Sequence, residues 1–343
     1  MSSTRTGERS RTAWDSALDP VTHVLFGRAV AWAAPARAAG PGVTAALVLG
    51  SIAPDADAAL ALRGFDVYLG VHAAGTHSLA GTAIVAAALA LGLRRLVRGS
   101  RFGPLFFASL AGTLGHVFWD LADGGDIRLF APLSSAVSGW HLVTMGEPVV
   151  LLILAAAAIA GWRRPMRARA AARAAFVGLA ALLTVKTASE ARALQIHAAA
   201  AGSAHPAVVA PVMGSLFRWS VYDRDGETIR GWTVDVRRRT AAVAFSFRDL
   251  ADSPAAALSR DLPVVRTFFS FSILPFARIE RDGAVRRVWW SDASRCSARG
   301  CDLAFGGTFD SADVPIAELI RIGGFTERRA LAARVSPAAR APR

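Results

Sequence analysis

The sequence lacks the signature motifs of several enzyme classes. It contains neither a GxSxG element nor a phosphate-binding P-loop, and neither of its two cysteines accompanies its histidines. Nucleophilic-serine, NTPase and thiol mechanisms are therefore without support. A cleavable signal peptide is not expected, because residues 1–19 are polar and rich in arginine and the apolar run after them is short. Internal segments are expected to direct membrane insertion.

Charged residues are scarce, and long apolar runs take their place. Only 19% of the residues are charged, whereas 53% are hydrophobic, and the mean hydropathy is +0.37. A helix needs about 20 mostly apolar residues to cross the hydrocarbon of a bilayer. The clearest runs are 102–119, 73–93 and 142–160, followed by the weaker runs 43–62 and 174–190. We predict a mainly α-helical, multi-span membrane bundle over residues 20–200; a soluble alanine-rich bundle is the alternative.

Arginine supplies the net charge of +13, and its surplus is concentrated between the apolar runs. One cluster lies at residues 94–101 and the other at residues 163–173. Short basic loops next to spans mark the cytoplasmic side of a membrane. This placement puts the end of run 102–119, and everything after residue 200, outside the cytoplasm. A nucleic-acid partner is not expected, because no aromatic-interleaved platform or groove-reading motif accompanies the arginines.

The pattern changes after residue 200 to alternating β-branched and aromatic residues, which is typical of strands. The stretches WTVDV, AAVAFSF, TFFSFSI and VRRVWW are predicted strands, and DRDG (223–226) and RDG (281–283) are predicted turns. The stretch ADSPAAALS (251–259) is expected to be a loop. We predict a small β-rich extracytoplasmic domain over residues 201–326 and a disordered tail over residues 327–343. Residues 1–19 form a separate polar segment.

The two cysteines, Cys296 and Cys301, are close enough in sequence to close a small disulfide loop in an oxidising compartment. Such a bond would agree with an extracytoplasmic C-terminal domain. A pair of reduced thiols is nearly as well supported, because a disulfide needs a specific geometry that the sequence does not reveal.

Histidines and acidic residues of the first half collect at the ends of the apolar segments. His23 begins the first segment, Asp55 and Asp57 end the second, and His72 and His77 begin the third. His116 and Asp120 end the fourth, and Glu147 begins the fifth. Because starts and ends alternate, neighbouring antiparallel helices would bring these groups to one face of the bundle. The same half also contains Asp66, Asp123, Asp126 and His141.

Imidazoles and carboxylates at membrane depth predict a metal site. His116 and Asp120 are four residues apart, so they share one helical face and can bind one ion or adjacent ions. The mixture suits Zn²⁺, with Mn²⁺ or Fe²⁺ as alternatives, and disfavours Ca²⁺ or Mg²⁺ as sole occupants. Helix caps, turns, structural ion pairs and a proton relay are the alternative roles. We expect one to three ions, held by His23, Asp55, His72, His77, His116 and Asp120.

Five ordered motifs carry a family resemblance: DPVTHVLFG (19–27), APDAD (53–57), VHAAGTHSLAG (71–81), LGHVFWDLADGGDIRLFAPLS (114–134) and TMGEP (144–148). They resemble the YdjM-like family of inner-membrane metal-dependent hydrolases over about residues 19–190. The positions that match are His23, Asp55, Asp57, His72, Thr76, His77, Ser78, His116, Asp120, Pro132 and Glu147. The sequence departs from the family pattern at Ala73 and Ala74, where the pattern has Arg and Gly, and at Gly115, which is usually Ser. The last motif, TMGEP, is also shortened. The ligand order is similar to that of the helical zinc-dependent phospholipase C and P1 nuclease group, which implies phosphoester substrates.

A metal site that borders water at the outer face predicts hydrolysis, because a bound metal activates water and polarises a phosphoryl or carbonyl oxygen. A carboxylate that does not bind metal, Asp57 or Glu147, would serve as general base. We expect an inner-membrane hydrolase, embedded in the lipid bilayer, that acts on a phosphoester, including a lipid-linked one. The alternative is a non-enzymatic membrane scaffold with a structural His/Asp cluster. A transporter is less favoured, because the polar residues lie at the ends of the spans.

Overall fold

The structure, a computed structural model, describes residues 13–34, 40–202 and 207–331, with side chains from residue 20 onwards. The chain forms two compact units. The first unit comprises Met1–Glu190 and Pro211–Phe217, and the second comprises Ala191–Ala210 and Arg218–Arg343. The division is close to the predicted change near residue 200. It differs in that the end of one long helix belongs to the second unit and the segment 211–217 belongs to the first.

The first unit is helical. Its α-helices are α1 (Ala13–Ala33), α2 (Val43–Gly50), α3 (Phe65–Val71), α4 (Leu79–Leu96), α5 (Phe102–Asp123), α6 (Pro148–Arg163) and α7 (Ala168–Ala201), the last of which continues into the second unit. Two 3₁₀ helices, Pro54–Arg63 and Pro165–Arg167, and a π-helical turn, His72–Thr76, lie between them.

Within the described parts of the chain, three helical segments are long and apolar enough to cross a membrane: Leu79–Leu96, Phe102–Asp123 and Pro165–Ala201. Helix α2 and the following 3₁₀ helix, which are bent by 45° relative to each other, would form a fourth span if taken together. Helix α6 is apolar but has only 16 residues. Large apolar side chains face outwards on these helices, including Phe107 (69% exposed) and Val177 (70% exposed). A soluble bundle would bury such residues, so the predicted helical membrane region is favoured over that alternative.

Helices α2 and α5 approach each other closely through two glycines. A Cβ atom at Gly50 would lie 2.5 Å from the backbone oxygen of Ser109, and one at Gly112 would overlap the backbone oxygen of Leu47. Small residues at such crossings let the backbones of membrane helices come into contact. This contact places Ser51, which directly follows α2, beside the second half of α5.

The second unit is β-rich, as predicted. One sheet has the order β1 (Ala207–Pro211), β2 (Arg218–Asp225), β3 (Thr228–Asp235), β4 (Thr240–Arg248). The other has the order β11 (Phe325–Ala330), β10 (Pro315–Ile322), β9 (Leu303–Phe309), β6 (Val285–Asp292), β5 (Pro275–Asp282). The remaining elements are the short pair β7 (Cys296–Ser297) and β8 (Gly300–Cys301), and the helices α8 (Pro254–Ser259) and α9 (Pro263–Phe269). Trp219, Phe268, Phe276, Trp290 and Phe305 are fully buried core residues of this unit.

Two local predictions in this unit are wrong. The stretch ADSPAAALS contains α8, because Ser253 caps the helix by accepting a hydrogen bond from the Ala256 amide and proline occupies the first turn. The stretch TFFSFSI begins inside α9, where Pro263 again starts the helix and Phe268 packs against Phe305. For TFFSFSI, the aromatic content indicated a strand, and for ADSPAAALS the composition indicated a loop. In both cases proline in the first turn favours a helix instead.

The predicted disordered tail is also corrected in part. Residues Glu327 to Ala330 lie in β11, where Glu327 pairs with Ile320 and Arg328 with Leu319 of β10. The rest of the predicted tail, residues 332–343, and residues 1–12 of the predicted N-terminal segment lie outside the described residues.

Cys296 and Cys301 are joined by a disulfide bond. They face each other across the β7–β8 pair, with the turn of SARG between them. Of the two alternatives that the sequence left open, the structure has the oxidised one.

Candidate metal centre

Three parts of the first unit supply the six predicted ligands. Helix α5 contributes His116 and Asp120, and helix α1 contributes His23 from its interior rather than from its start. The segment between α2 and α4 contributes Asp55, His72 and His77. Ligand atoms of these residues form two groups of three, each with its atoms within 4.8 Å of one another: His23, His116 and Asp120, and Asp55, His72 and His77.

The start of α4 positions His77. Ser78 caps α4 by accepting a hydrogen bond from the Gly81 amide at 3.0 Å and donates one to the Gly75 carbonyl at 2.8 Å. A Cβ atom at Gly81 would overlap that carbonyl oxygen, so only glycine permits this close approach. The loop after α5 holds the same segment, because the Arg128 amide donates to the Ala73 carbonyl at 2.7 Å.

Four ligand atoms converge on one point between the two groups. The Nε2 atoms of His77 and His116 are 2.9 Å apart. Asp120 Oδ2 lies 3.0 Å from the first and 3.2 Å from the second. Asp55 Oδ1 lies 3.5 Å from His77 Nε2 and 3.3 Å from His116 Nε2. Ligands of a tetrahedral zinc ion with bonds of about 2.05 Å are about 3.3 Å apart, so the spacing suits such an ion.

The polar atoms at this point are poorly matched as hydrogen-bonding partners. Asp120 Oδ2 is buried and accepts no hydrogen bond of normal geometry. His116 Nδ1 lies 2.9 Å from the Ser51 carbonyl oxygen, which can only accept, so this contact places a proton on Nδ1. In the neutral ring, Nε2 then has a lone pair that can bind a metal. Protonated imidazoles or a bound cation would satisfy these carboxylates, and a divalent metal fits the donor set.

Contacts at the Nδ1 atoms of the imidazoles fix the orientation of the rings. The Ser51 carbonyl holds His116, as described above. Asp57 is buried, and its carboxylate lies 3.2 Å from His72 Nδ1 and 3.8 Å from His77 Nδ1. Thr76 donates its hydroxyl hydrogen bond to Asp57 and also lies 3.0 Å from His77 Nδ1. Carboxylate and carbonyl partners on the second ring nitrogen are typical of metal-bound histidines.

His23 completes the first group from α1. Its side chain is fully buried, its Nε2 lies 3.5 Å from Asp120 Oδ1, and its ring centroid lies 4.0 Å from that of His116. His72, which is partly exposed, belongs to the second group, and its ring centroid lies 3.8 Å from that of His77. The two groups are therefore adjacent, with His77 and His116 in contact at their boundary.

Glu147 lies in neither group. Its carboxylate accepts hydrogen bonds from the Thr144 hydroxyl at 3.1 Å and the Gly214 amide at 3.1 Å, and it lies 3.8 Å from Lys186 Nζ. Both charged side chains are buried. The structure thus brings Asp57 close to the ligands but engages Glu147 in a separate ion pair, and a general-base role for Glu147 stays a prediction.

His141 and Asp126, two further polar residues of the first unit, pair with each other away from the ligand groups. His141 Nε2 lies 3.0 Å from Asp126 Oδ1, and neither residue belongs to the ligand groups. Sequence reasoning missed the contacts of Ser51 and Lys186, and it missed Tyr68, whose ring packs against His72 with centroids 5.0 Å apart. The i, i+4 spacing of Tyr68 and His72 was the one available signal for the last of these.

The comparisons with known proteins agree with the motifs. A family model described as YdjM inner membrane protein matches residues 18–194, more than half of the 343 residues, so the chain belongs to this family. The predicted resemblance to the YdjM-like family is confirmed, and all six predicted ligands fall within the match. The similarity to the phospholipase C and P1 nuclease group stays a prediction. No curated protein and no solved structure matches the chain.

Proposed function

We propose that this member of the YdjM inner membrane protein family is a metal-dependent hydrolase of phosphoesters. The observation that carries the proposal is the convergence of His77, His116, Asp55 and Asp120, with five interatomic distances between 2.9 and 3.5 Å. A metal bound there would supply an activated water and would polarise a phosphoryl oxygen.

The residues of the site divide into ligands and supporting groups. His77, His116, Asp55 and Asp120 would hold one zinc ion, and His23 and His72 extend the two groups so that a second ion has ligands as well. Asp57 is the better placed of the two predicted general bases, because it contacts His72 and lies 3.8 Å from His77. It would hold the rings of these histidines in place, and as general base it would have to take the proton directly from a water at the metal.

The position of the site favours a substrate that the bilayer delivers. His116 and Asp120 belong to the last two turns of the apolar segment Phe102–Asp123, near the end of a candidate span. Asp55 lies at the bend of the broken span formed by α2 and the 3₁₀ helix. A lipid-linked phosphoester would reach a cleft at this depth laterally, with its head group at the metal.

The function is tested with the full chain, purified in detergent and loaded with zinc. We expect about one to two zinc ions per chain by elemental analysis, and zinc-dependent hydrolysis of bis(p-nitrophenyl) phosphate and of phosphatidylglycerol in mixed micelles. Hydrolysis should disappear after chelation and return with added zinc. Folded protein that binds no divalent metal would contradict the proposal. Metal-loaded protein that is inert towards both phosphoesters would favour the scaffold alternative.

For orientation in the membrane, we propose that the two arginine clusters face the cytoplasm and the β-rich unit lies outside it. The first cluster lies in the last turn of α4 and in the loop before α5, and consists of Arg94, Arg95, Arg98 and Arg101. The second lies around the junction of α6 and α7, and consists of Arg163, Arg164, Arg167, Arg169 and Arg173. Basic residues at such junctions favour the cytoplasmic side. The Cys296–Cys301 disulfide supports an oxidising location for the second unit.

Reporter fusions test this orientation. A cytoplasm-specific reporter is expected to be active after Gly99 and after Pro165, and an exported phosphatase reporter is expected to be active after Arg343. Reversal of all three signals would overturn the orientation. A cytoplasmic signal after Arg343 alone would mean that α7, the helix that follows Pro165, does not cross the membrane.

A further inference from the structure

Tyr68 is the aromatic residue beside the candidate metal centre that the proposed function has not used. It lies on α3, one helical turn before His72, and the two rings are in contact with centroids 5.0 Å apart. Its side chain is half-buried, so it is accessible next to a centre whose other members, apart from His72 and Asp55, are fully enclosed. The chain has only two tyrosines.

The ring of Tyr68 lies beside the second ligand group. It contacts His72, whose ligand atom is within 4.8 Å of those of Asp55 and His77. A tyrosine hydroxyl is protonated at neutral pH, so Tyr68 offers an O–H donor next to this group.

A neutral donor has a specific use at such a site. The carboxylates described above would repel a phosphoryl group wherever a metal does not screen them, and an additional O–H donor reduces that repulsion without adding charge. Donors placed where negative charge develops stabilise the transition state of phosphoryl chemistry. Tyr68 is held in place by the i, i+4 contact with His72, so little conformational freedom is lost when it binds.

We propose that the Tyr68 hydroxyl donates a hydrogen bond to a phosphoryl oxygen of the substrate bound at the metal centre. This inference rests on the proposed function. It makes Tyr68 a catalytic residue that touches the substrate, and it identifies the accessible side of the centre, next to α3 and His72, as the side from which the phosphoryl group enters.

The test uses the Tyr68→Phe variant, which removes the hydroxyl and keeps the ring against His72. The matched control is Tyr222→Phe, which changes the other tyrosine, a buried residue of the second unit. For each full-length, zinc-loaded protein in detergent, zinc content is measured by elemental analysis and the affinity for inorganic phosphate by calorimetry. The rate of bis(p-nitrophenyl) phosphate hydrolysis is measured alongside.

We expect Tyr68→Phe to retain its zinc, to bind phosphate about 10-fold more weakly and to lose at least as much in kcat/KM, as is typical for a hydrogen bond to a charged group. Tyr222→Phe should behave as the wild type. Unchanged phosphate affinity and hydrolysis in Tyr68→Phe would overturn the inference, and so would loss of zinc, which would show a role in building the centre. Failure of the zinc-loaded wild type itself to bind phosphate would instead contradict the proposed phosphoester function.

Discussion

Replacing His116 by alanine is expected to lower the zinc affinity of the chain by more than about 100-fold, because loss of an outer contact to a metal ligand alone typically costs 10–100-fold. His116 lies at the middle of the centre: its Nε2 is within 3.5 Å of His77, Asp55 and Asp120. Removal leaves Asp55 and Asp120 as two close carboxylates with one fewer imidazole between them. Zinc per chain after dialysis against a weak chelator measures the effect.

His141→Ala is the matched control for this variant. His141 is also a histidine of the first unit that contacts an aspartate, Asp126, but it belongs to neither ligand group. Its replacement should leave the zinc content unchanged. Equal zinc contents for His116→Ala, His141→Ala and the wild type, in folded protein, would show that the convergent ligands are a structural ion-pair cluster.

The Asp57→Asn variant extends this prediction to a residue that lies beside the ligands His72 and His77. If Asp57 orients His72 and His77, zinc affinity falls by about 10–100-fold, less than in His116→Ala. If Asp57 is the general base, zinc is retained and hydrolysis falls by about 100-fold or more. The two measurements therefore separate the two roles. A variant that equals the wild type in both would exclude Asp57 from the site.

Lys186→Met is expected to destabilise the first unit by about 3–5 kcal/mol, because removing one member of a buried ion pair leaves the other charge without its counterion. Lys186 is the only lysine of the chain and is fully buried in α7. It lies 3.8 Å from Glu147 and donates to the Ser215 carbonyl at 2.7 Å. The pair thus connects the start of α6, the middle of α7 and the segment 211–217. Thermal unfolding in detergent measures the loss.

The double variant Glu147→Gln/Lys186→Met provides the control. Glutamine keeps an acceptor for Thr144 and Gly214 and carries no charge, so the double variant should recover much of the stability lost in Lys186→Met. Glu147→Gln alone should change stability and leave the zinc content unchanged. A stable Glu147→Gln protein that binds zinc but does not hydrolyse bis(p-nitrophenyl) phosphate would instead support Glu147 as the general base.

The helical half was largely predictable because its elements are long and chemically uniform. The apolar run 102–119 lies within α5, and the arginine clusters lie at helix ends, as expected from the cost of placing charge in the bilayer. The alternation of polar residues at segment ends was enough to predict that His23, Asp55, His72, His77, His116 and Asp120 would meet. The β-rich half was less predictable, because Pro263 begins a helix whose last residues are the first three of the aromatic stretch TFFSFSI.

Two aspartates of the motif APDAD show most clearly what the sequence does not reveal. Asp55 and Asp57 are two residues apart and chemically identical, yet Asp55 faces the Nε2 atoms of His77 and His116 while Asp57 faces the Nδ1 atoms of His72 and His77. A 3₁₀ turn sets this difference, because it rotates successive side chains by about a third of a turn each. The conformation of this backbone segment therefore separates the proposed role of Asp55, which is to bind the metal, from that of Asp57, which is to support the histidine rings.

The sequence by itself determined which residues bear charge inside an apolar region, and a buried charge must find a partner there because the bilayer offers none. It therefore determined that a polar cluster would form. Only the tertiary structure decided the partners. The close contact of α2 and α5 through Gly50 and Gly112 gave His116 the Ser51 carbonyl, and the packing of α7 gave Glu147 its lysine. Such pairings depend on contacts between residues far apart in the chain, which no local pattern specifies.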